Sequence, residues 1–148
     1  MTTSRSVVVK VDDELKVPAS MDRLPVILDW VHARASAAGL REEAVRHLQL
    51  ACEEIVVNVI HHAYRDAGGD ILLRLGRPPG GEGVVVEICD WGPPCDILEI
   101  PEPDLDQAVE DRPIGGLGVY LARRVTDALE WSRDGERNRV RITKRNDP

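Results

Sequence analysis

The chain has 148 residues, 43% apolar and 30% charged, with a net charge of −7 and no Phe. That is length enough for one domain with a core of Val, Leu, Ile and Ala. The negative charge and 3% aromatic content argue against direct nucleic-acid binding, an anionic-membrane surface or a base-stacking platform. A bound nucleotide stays open, because backbone amides, a helix N-terminus and a metal ion can hold phosphates in an acidic protein.

No stretch approaches the length of a transmembrane helix, and MTTSRSVVVKVDDE at the start lacks the apolar run of a signal peptide. Cys52, Cys89 and Cys95 are odd in number and show no paired spacing, as expected of reduced thiols in a cytoplasmic protein. A zinc site on Cys89 and Cys95 would need two further ligands from elsewhere. With no repeat and no dividing linker, residues 1–148 are read as one domain.

Residues 6–11 alternate and are β-rich, and 15–17 offer a second short strand after Asp12-Asp13. Asp22 is the expected N-cap of a first helix, with Pro25 in its first turn and Gly39 as its stop. A second helix is expected over 41–64, with Ala44, Leu48, Ala51 and Ile55 on one face. After the turn at 66–70, residues 71–75 and 84–89 read as strands joined by a Gly/Pro-rich loop. Residues 97–114, acidic and carrying three prolines, read as a long functional loop. The glycines of GGLG open a third helix, expected over 119–127. A hairpin of 128–132 and 139–144, turning at Asp134-Gly135, closes the chain. This order predicts an α+β two-layer sandwich, with helices on one face of a mixed, mostly antiparallel sheet.

Three motifs carry chemistry. In ACEEIVVNVIHHAY, Glu54, Asn58 and His62 recur at every fourth position along one edge of an otherwise apolar helix. The edge either faces solvent at a rim or lines a cleft. In a cleft, Asn58 offers an amide oxygen to Mg²⁺, Glu54 can accept a proton from a nucleophile, and His62 can orient a neighbour. In EICDWGPPCD, Asp90 stands at the end of an apolar strand, where its carboxylate needs a donor such as an adenine amino group. Gly92 would let a flat ring lie against backbone. In IGGLGVYLARR, closely spaced glycines open a helix whose free amides suit phosphate. A dinucleotide fingerprint is excluded, since an acidic loop precedes the glycines and Val119-Tyr120 breaks the spacing.

Each motif is ambiguous alone. In this order, with the long loop between the second and third, they resemble the N, G1 and G2 boxes of the GHKL ATPase superfamily. Within it the chain resembles the anti-sigma-factor serine/threonine kinases, through E-x-x-x-N-x-x-x-H-A-Y, LKVPASMDRLPVILDWV, ICDWGPPCD, GGLGVYLARRVTDALEW and NRVRITK. The resemblance implies a Bergerat-type ATP pocket closed by a lid. Asn58 would ligate Mg²⁺, and Glu54 would be the base acting on a serine hydroxyl. Asp90 would bind the adenine amino group, with Gly92 beside the ring. His62, Asp96, Arg112, Gly116 and Gly118 complete the implied nucleotide-binding set. Arg112 is the expected γ-phosphate contact, and Arg123 and Arg124 are expected to be solvated. The implied activity is phosphorylation of an anti-anti-sigma (STAS-type) partner by a homodimer that also sequesters a sigma factor.

A nucleotide-gated binding module with little phosphoryl transfer is the alternative; it needs Asn58 and Asp90 but no base at Glu54. A histidine-kinase output domain is disfavoured, since His32, His47, His61 and His62 all fall in the domain helices. A pure scaffold would require all three motifs to be coincidence.

Overall fold

A computed structural model describes residues 13–99 and 116–146. The strand expected over 6–11 and most of the acidic loop lie outside the described residues. Within them the chain runs β1 (Glu14–Pro18), α1 (Leu24–Ala37), α2 (Glu42–Asn58), β2 (Asp70–Gly76), β3 (Val84–Asp90), α3 (Gly116–Val125), β4 (Ala128–Asp134) and β5 (Arg137–Lys144). The strands form one sheet in the order β1-β2-β3-β5-β4. Every described neighbour pair is antiparallel. The α+β two-layer class therefore holds.

The core lies between helices and sheet because strand and helix periodicities converge on it. Ile71, Leu73, Val84, Val86, Ile88, Val140 and Ile142 line the sheet side. Ile27, Val31, Val45, Leu48, Ala51, Ile55 and Val56 line the helix side. All seven residues of β3 are buried, including Glu87 on its other face. That carboxylate is held by Arg141 at 2.9 Å and Arg74 at 3.9 Å, which is what makes a charge tolerable there.

Helix ends depart from the sequence expectation in informative ways. Asp22 is not the N-cap of α1. It lies within a 3-10 turn, Met21–Arg23, and its carboxylate takes the Ser20 hydroxyl. Gly39 does stop α1, at φ 103°. Its amide bonds the Ser36 carbonyl while the Leu40 amide bonds that of Ala35, a Schellman arrangement that needs the left-handed residue.

The second helix is not uniformly α. Val59–Ala63 form a π turn, closed by the Tyr64 amide on the Val59 carbonyl at 2.9 Å. Arg65 and Asp66 then end it with φ of 52° and 62°. Such turns gather at functional positions, and this one begins directly after Asn58.

The third helix starts three residues earlier than expected, because Gly116 and Gly118 are themselves helical. It stops where Lys144 Nζ bonds the Val125 carbonyl at 2.9 Å. The hairpin turns at Gly135-Glu136, one residue later than expected, with only Gly135 at positive φ (62°), as a type II′ turn has.

Tyr64 fastens the end of the π turn to the sheet. Its hydroxyl donates to the Asp70 carbonyl at 2.6 Å and accepts from the Trp91 amide at 2.9 Å. Tyr64→Phe loses both bonds while keeping the ring. It is expected to lower unfolding free energy by about 1–2 kcal/mol, read as a shifted urea midpoint at unchanged m-value.

Candidate functional site

The second helix is the spine of the site. Asn58, at its α-to-π junction, is 1% exposed. Neither its amide nitrogen nor its amide oxygen has a hydrogen-bond partner among the described residues. An orphaned buried amide costs roughly 1–3 kcal/mol, so this one calls for a partner: ordered water, an ion or a ligand. One turn earlier, Glu54 is half-buried. Burial, and then the neighbouring Glu53 charge, holds its carboxyl above the ordinary range, as suits a base. His62 Nε2 is also buried and unpartnered. Because the backbone past Asn58 closes i to i+5, the offset from Asn58 to His62 is no longer that of an α-helix.

Two glycines bring the other motifs onto this spine. A Cβ at Gly118 would coincide with the Glu54 carboxylate, so α3 seats its first turn on the candidate base. A Cβ at Gly92 would meet the Ala63 carbonyl oxygen at 2.8 Å and Asp90 Oδ1 at 3.1 Å, so the loop after β3 abuts the π turn. Asn58 thus lies, along the helix, between the seat of the third motif and that of the second.

Asp90 ends β3 on the helix-facing phase of Val86 and Ile88 and is 2% exposed. Its Oδ1 accepts from the Gly92 amide and from Asn138 Nδ2, both at 2.9 Å. Burial raises its carboxyl above the usual range, against the lowering pull of those hydrogen bonds and of Arg133. At neutral pH an ionised Asp90 therefore weighs against folding, and acidification through the raised pKa relieves that cost.

The remaining expected residues are placed as follows. Asp96 Oδ1 accepts from the Leu98 amide at 2.9 Å, capping the short 3-10 turn Ile97–Glu99. Gly116 opens α3. Arg112 lies outside the described residues. Arg123 is exposed, as expected, and also donates to the Leu98 carbonyl at 2.7 Å. Arg124 stacks on Tyr120, 5.7 Å from the ring centroid.

Asn138 is the site residue that motif reading missed. It lies directly across from Asp90 in the β3–β5 register. The available signal was its phase. Asn138 alternates with Val140 and Ile142, so a polar side chain was due to point inward.

Among the described residues no three or more His, Cys, Asp or Glu side chains gather to hold a metal, and no helix is long and apolar enough to cross a membrane. Burial pushes the thiol of Cys52 up to about 12 and that of Cys89 up to about 11. Neither is a nucleophile near neutral pH.

A family profile described as a histidine kinase-like ATPase domain matches residues 17–144. The chain belongs to that family. Among its relatives, the serine-protein kinase RsbW of Bacillus cereus (strain ATCC 10987 / NRS 248) is 25% identical over 82% of this chain and 77% of its own length. The RsbW of Bacillus thuringiensis (strain Al Hakam) is 26% identical over the same shares. The solved RsbU and RsbW domains of Rv1364c from Mycobacterium tuberculosis superpose with a TM-score of 0.60 over 89% of this chain. Sequence identity there is 15%, and the match spans 32% of that chain. That likeness bears on the fold of this histidine kinase-like ATPase domain and not on its partners.

Proposed function

We propose that this domain is an ATP-dependent protein-serine kinase and anti-sigma factor. The observation that carries the reading is the wholly buried, unpartnered amide of Asn58, beside a half-buried carboxylate at Glu54. The family match and the RsbW relatives support it. ATP is the phosphoryl donor. The donor set suits Mg²⁺, because a neutral amide oxygen is a hard ligand and the ion takes its other oxygens from phosphates and water. Asn58 Oδ1 would hold it, and bound there it supplies charge neutralisation.

The residues then divide the work. Asp90 accepts a hydrogen bond from the adenine amino group, and Gly92 leaves space beside the ring. His62, Asp96, Arg112, Gly116 and Gly118 belong to the same nucleotide-binding set, with Arg112 toward the γ-phosphate. Glu54 takes the proton of the acceptor serine as its oxygen bonds the γ-phosphorus. The bond from that phosphorus to the β,γ-bridging oxygen breaks, leaving phosphoserine, ADP and a proton on Glu54. Little else is required, since phosphoryl transfer rests on positioning and charge neutralisation.

The acceptor is an anti-anti-sigma protein of the STAS type, and its phosphorylation decides whether the kinase holds it or a sigma factor. We assign the whole chain to one such domain, acting as a homodimer in the cytoplasm. Free thiols at Cys52, Cys89 and Cys95 support a reducing compartment. Incubation with γ-labelled ATP and a purified STAS-domain protein tests the reading. Label on a serine supports it, and a folded, ATP-bound protein that labels none of the STAS proteins of its own organism contradicts it.

Gly118 gives a sharper check. Gly118→Ala improves helix propensity by about 1 kcal/mol, yet its methyl must displace the flexible end of Glu54. The expected result is a cooperative melt with weakened ATP binding and a transfer rate, measured at saturating ATP, lowered at least about tenfold.

A further inference from the structure

We propose that Asn138 is a positioning and specificity-determining residue of the nucleotide pocket. Its side-chain amide clamps Asp90 and the loop behind it so that one carboxylate oxygen is reserved for an amino group on the purine. The inference rests on the ATP-binding reading and deepens it.

Asn138 is 1% exposed and uses both ends of its amide. Nδ2 donates to Asp90 Oδ1 at 2.9 Å and to the Pro93 carbonyl at 2.9 Å, with the Gly92 carbonyl at 3.4 Å. Its Oδ1 accepts from the Cys95 amide at 3.0 Å. One side chain on β5 thus ties together four residues of the 90–95 segment. Arg133 Nη1 adds a second tie to the Gly92 carbonyl at 2.9 Å.

The consequence falls on Asp90. Its Oδ1 carries two donors, Asn138 Nδ2 and the Gly92 amide, while its Oδ2 has no hydrogen bond among the described residues. Two donors on one oxygen fix the plane of the carboxylate, so Oδ2 cannot turn away from an incoming base. An acceptor held in place favours a purine with a 6-amino group. A 6-oxo group would set two acceptors face to face, which is the costly arrangement for buried polar atoms. Releasing the clamp should therefore weaken adenine binding and also blunt the discrimination against guanine. A residue that only stabilised the fold would not change that ratio.

The test is calorimetric titration of Mg-ATP and Mg-GTP into the full chain and three variants, with a thermal melt of each. Asn138→Asp keeps the acceptor for the Cys95 amide but sets a second carboxylate against Asp90. Its ATP affinity is expected to fall at least about 100-fold. Asn138→Ala is expected to lose about tenfold for ATP and to narrow the ATP-to-GTP ratio. Asn138→Thr keeps one donor on a strand-compatible side chain and should sit between wild type and alanine. It decides the matter if the alanine variant does not fold. Folded variants that bind ATP as wild type does overturn the proposal, and so does an equal loss for ATP and GTP. A folded wild type that binds neither nucleotide overturns the ATP reading itself.

Discussion

Glu54→Gln is expected to leave ATP binding nearly intact while lowering phosphoryl transfer about 10²–10⁴-fold, the usual contribution of a positioned general base. The substitution keeps the shape of the side chain against Gly118 and removes only its capacity to take a proton. Its pH dependence gives an independent reading. Burial first, and the Glu53 charge second, raise the Glu54 carboxyl, and the base works only when ionised. Transfer should therefore rise with pH through that raised pKa, and the glutamine variant should lose this limb of the profile. The sign for stability is opposite. A carboxyl raised by folding contributes stability below its unfolded value and loses that contribution as pH rises through the folded one. Through Glu54 alone, acidification should favour the fold while it disables the chemistry; Asp134, held low by Arg137 and Arg139, contributes with the opposite sign. Single-turnover rates across the acid range distinguish the kinase from the binding module, for which Glu54→Gln would change nothing.

Asp90→Asn is the second large effect. It keeps the volume of a residue that is 2% exposed and replaces an ionised acceptor with a neutral amide. Hydrogen bonds to charged groups contribute about 1.5–3 kcal/mol, so ATP affinity should fall between about tenfold and 150-fold. The two donors at Oδ1 require the new amide oxygen there, so its nitrogen faces the base, two donors meet and the loss lies toward the upper end. The fold should tolerate the change, because it also removes a carboxylate that burial holds above its ordinary pKa. Calorimetry reads the affinity, and a melting temperature no lower than wild type shows that the loss is local. Unchanged affinity would mean that Asp90 is not the base-recognition residue.

Much of the architecture was legible in the chain because each signal was local and redundant. VVVEICD has the apolar density of a fully buried strand, and Gly39 marks a helix end in the one conformation glycine makes cheap. The errors share a different cause. The π turn after Asn58 inserts extra backbone into an unbroken helical pattern, and nothing in the side chains of 59–63 announces it. Gly116 and Gly118 are poor helix formers by propensity, yet both fall inside α3, and at Gly118 only a residue without Cβ can sit against Glu54. Asp22 and Ser20 bonded each other, leaving the expected cap unused.

The candidate site divides along the same line. Glu54, Asn58 and Asp90 stood out as polar residues within apolar runs. Asn138 did not, because its importance depends on a register across 48 residues of chain. Tyr64 likewise shows its role only through partners on β2 and beyond β3. Pairing of that range is set by the whole sheet and leaves no mark in a short window of sequence.

The most direct test of the central claim is a calorimetric titration of ATP into the wild-type chain, with and without Mg²⁺. One saturable site per chain is expected, tighter with the ion present and weakened by Asp90→Asn. A protein with a cooperative melt that shows no heat and no thermal shift with Mg-ATP would contradict it.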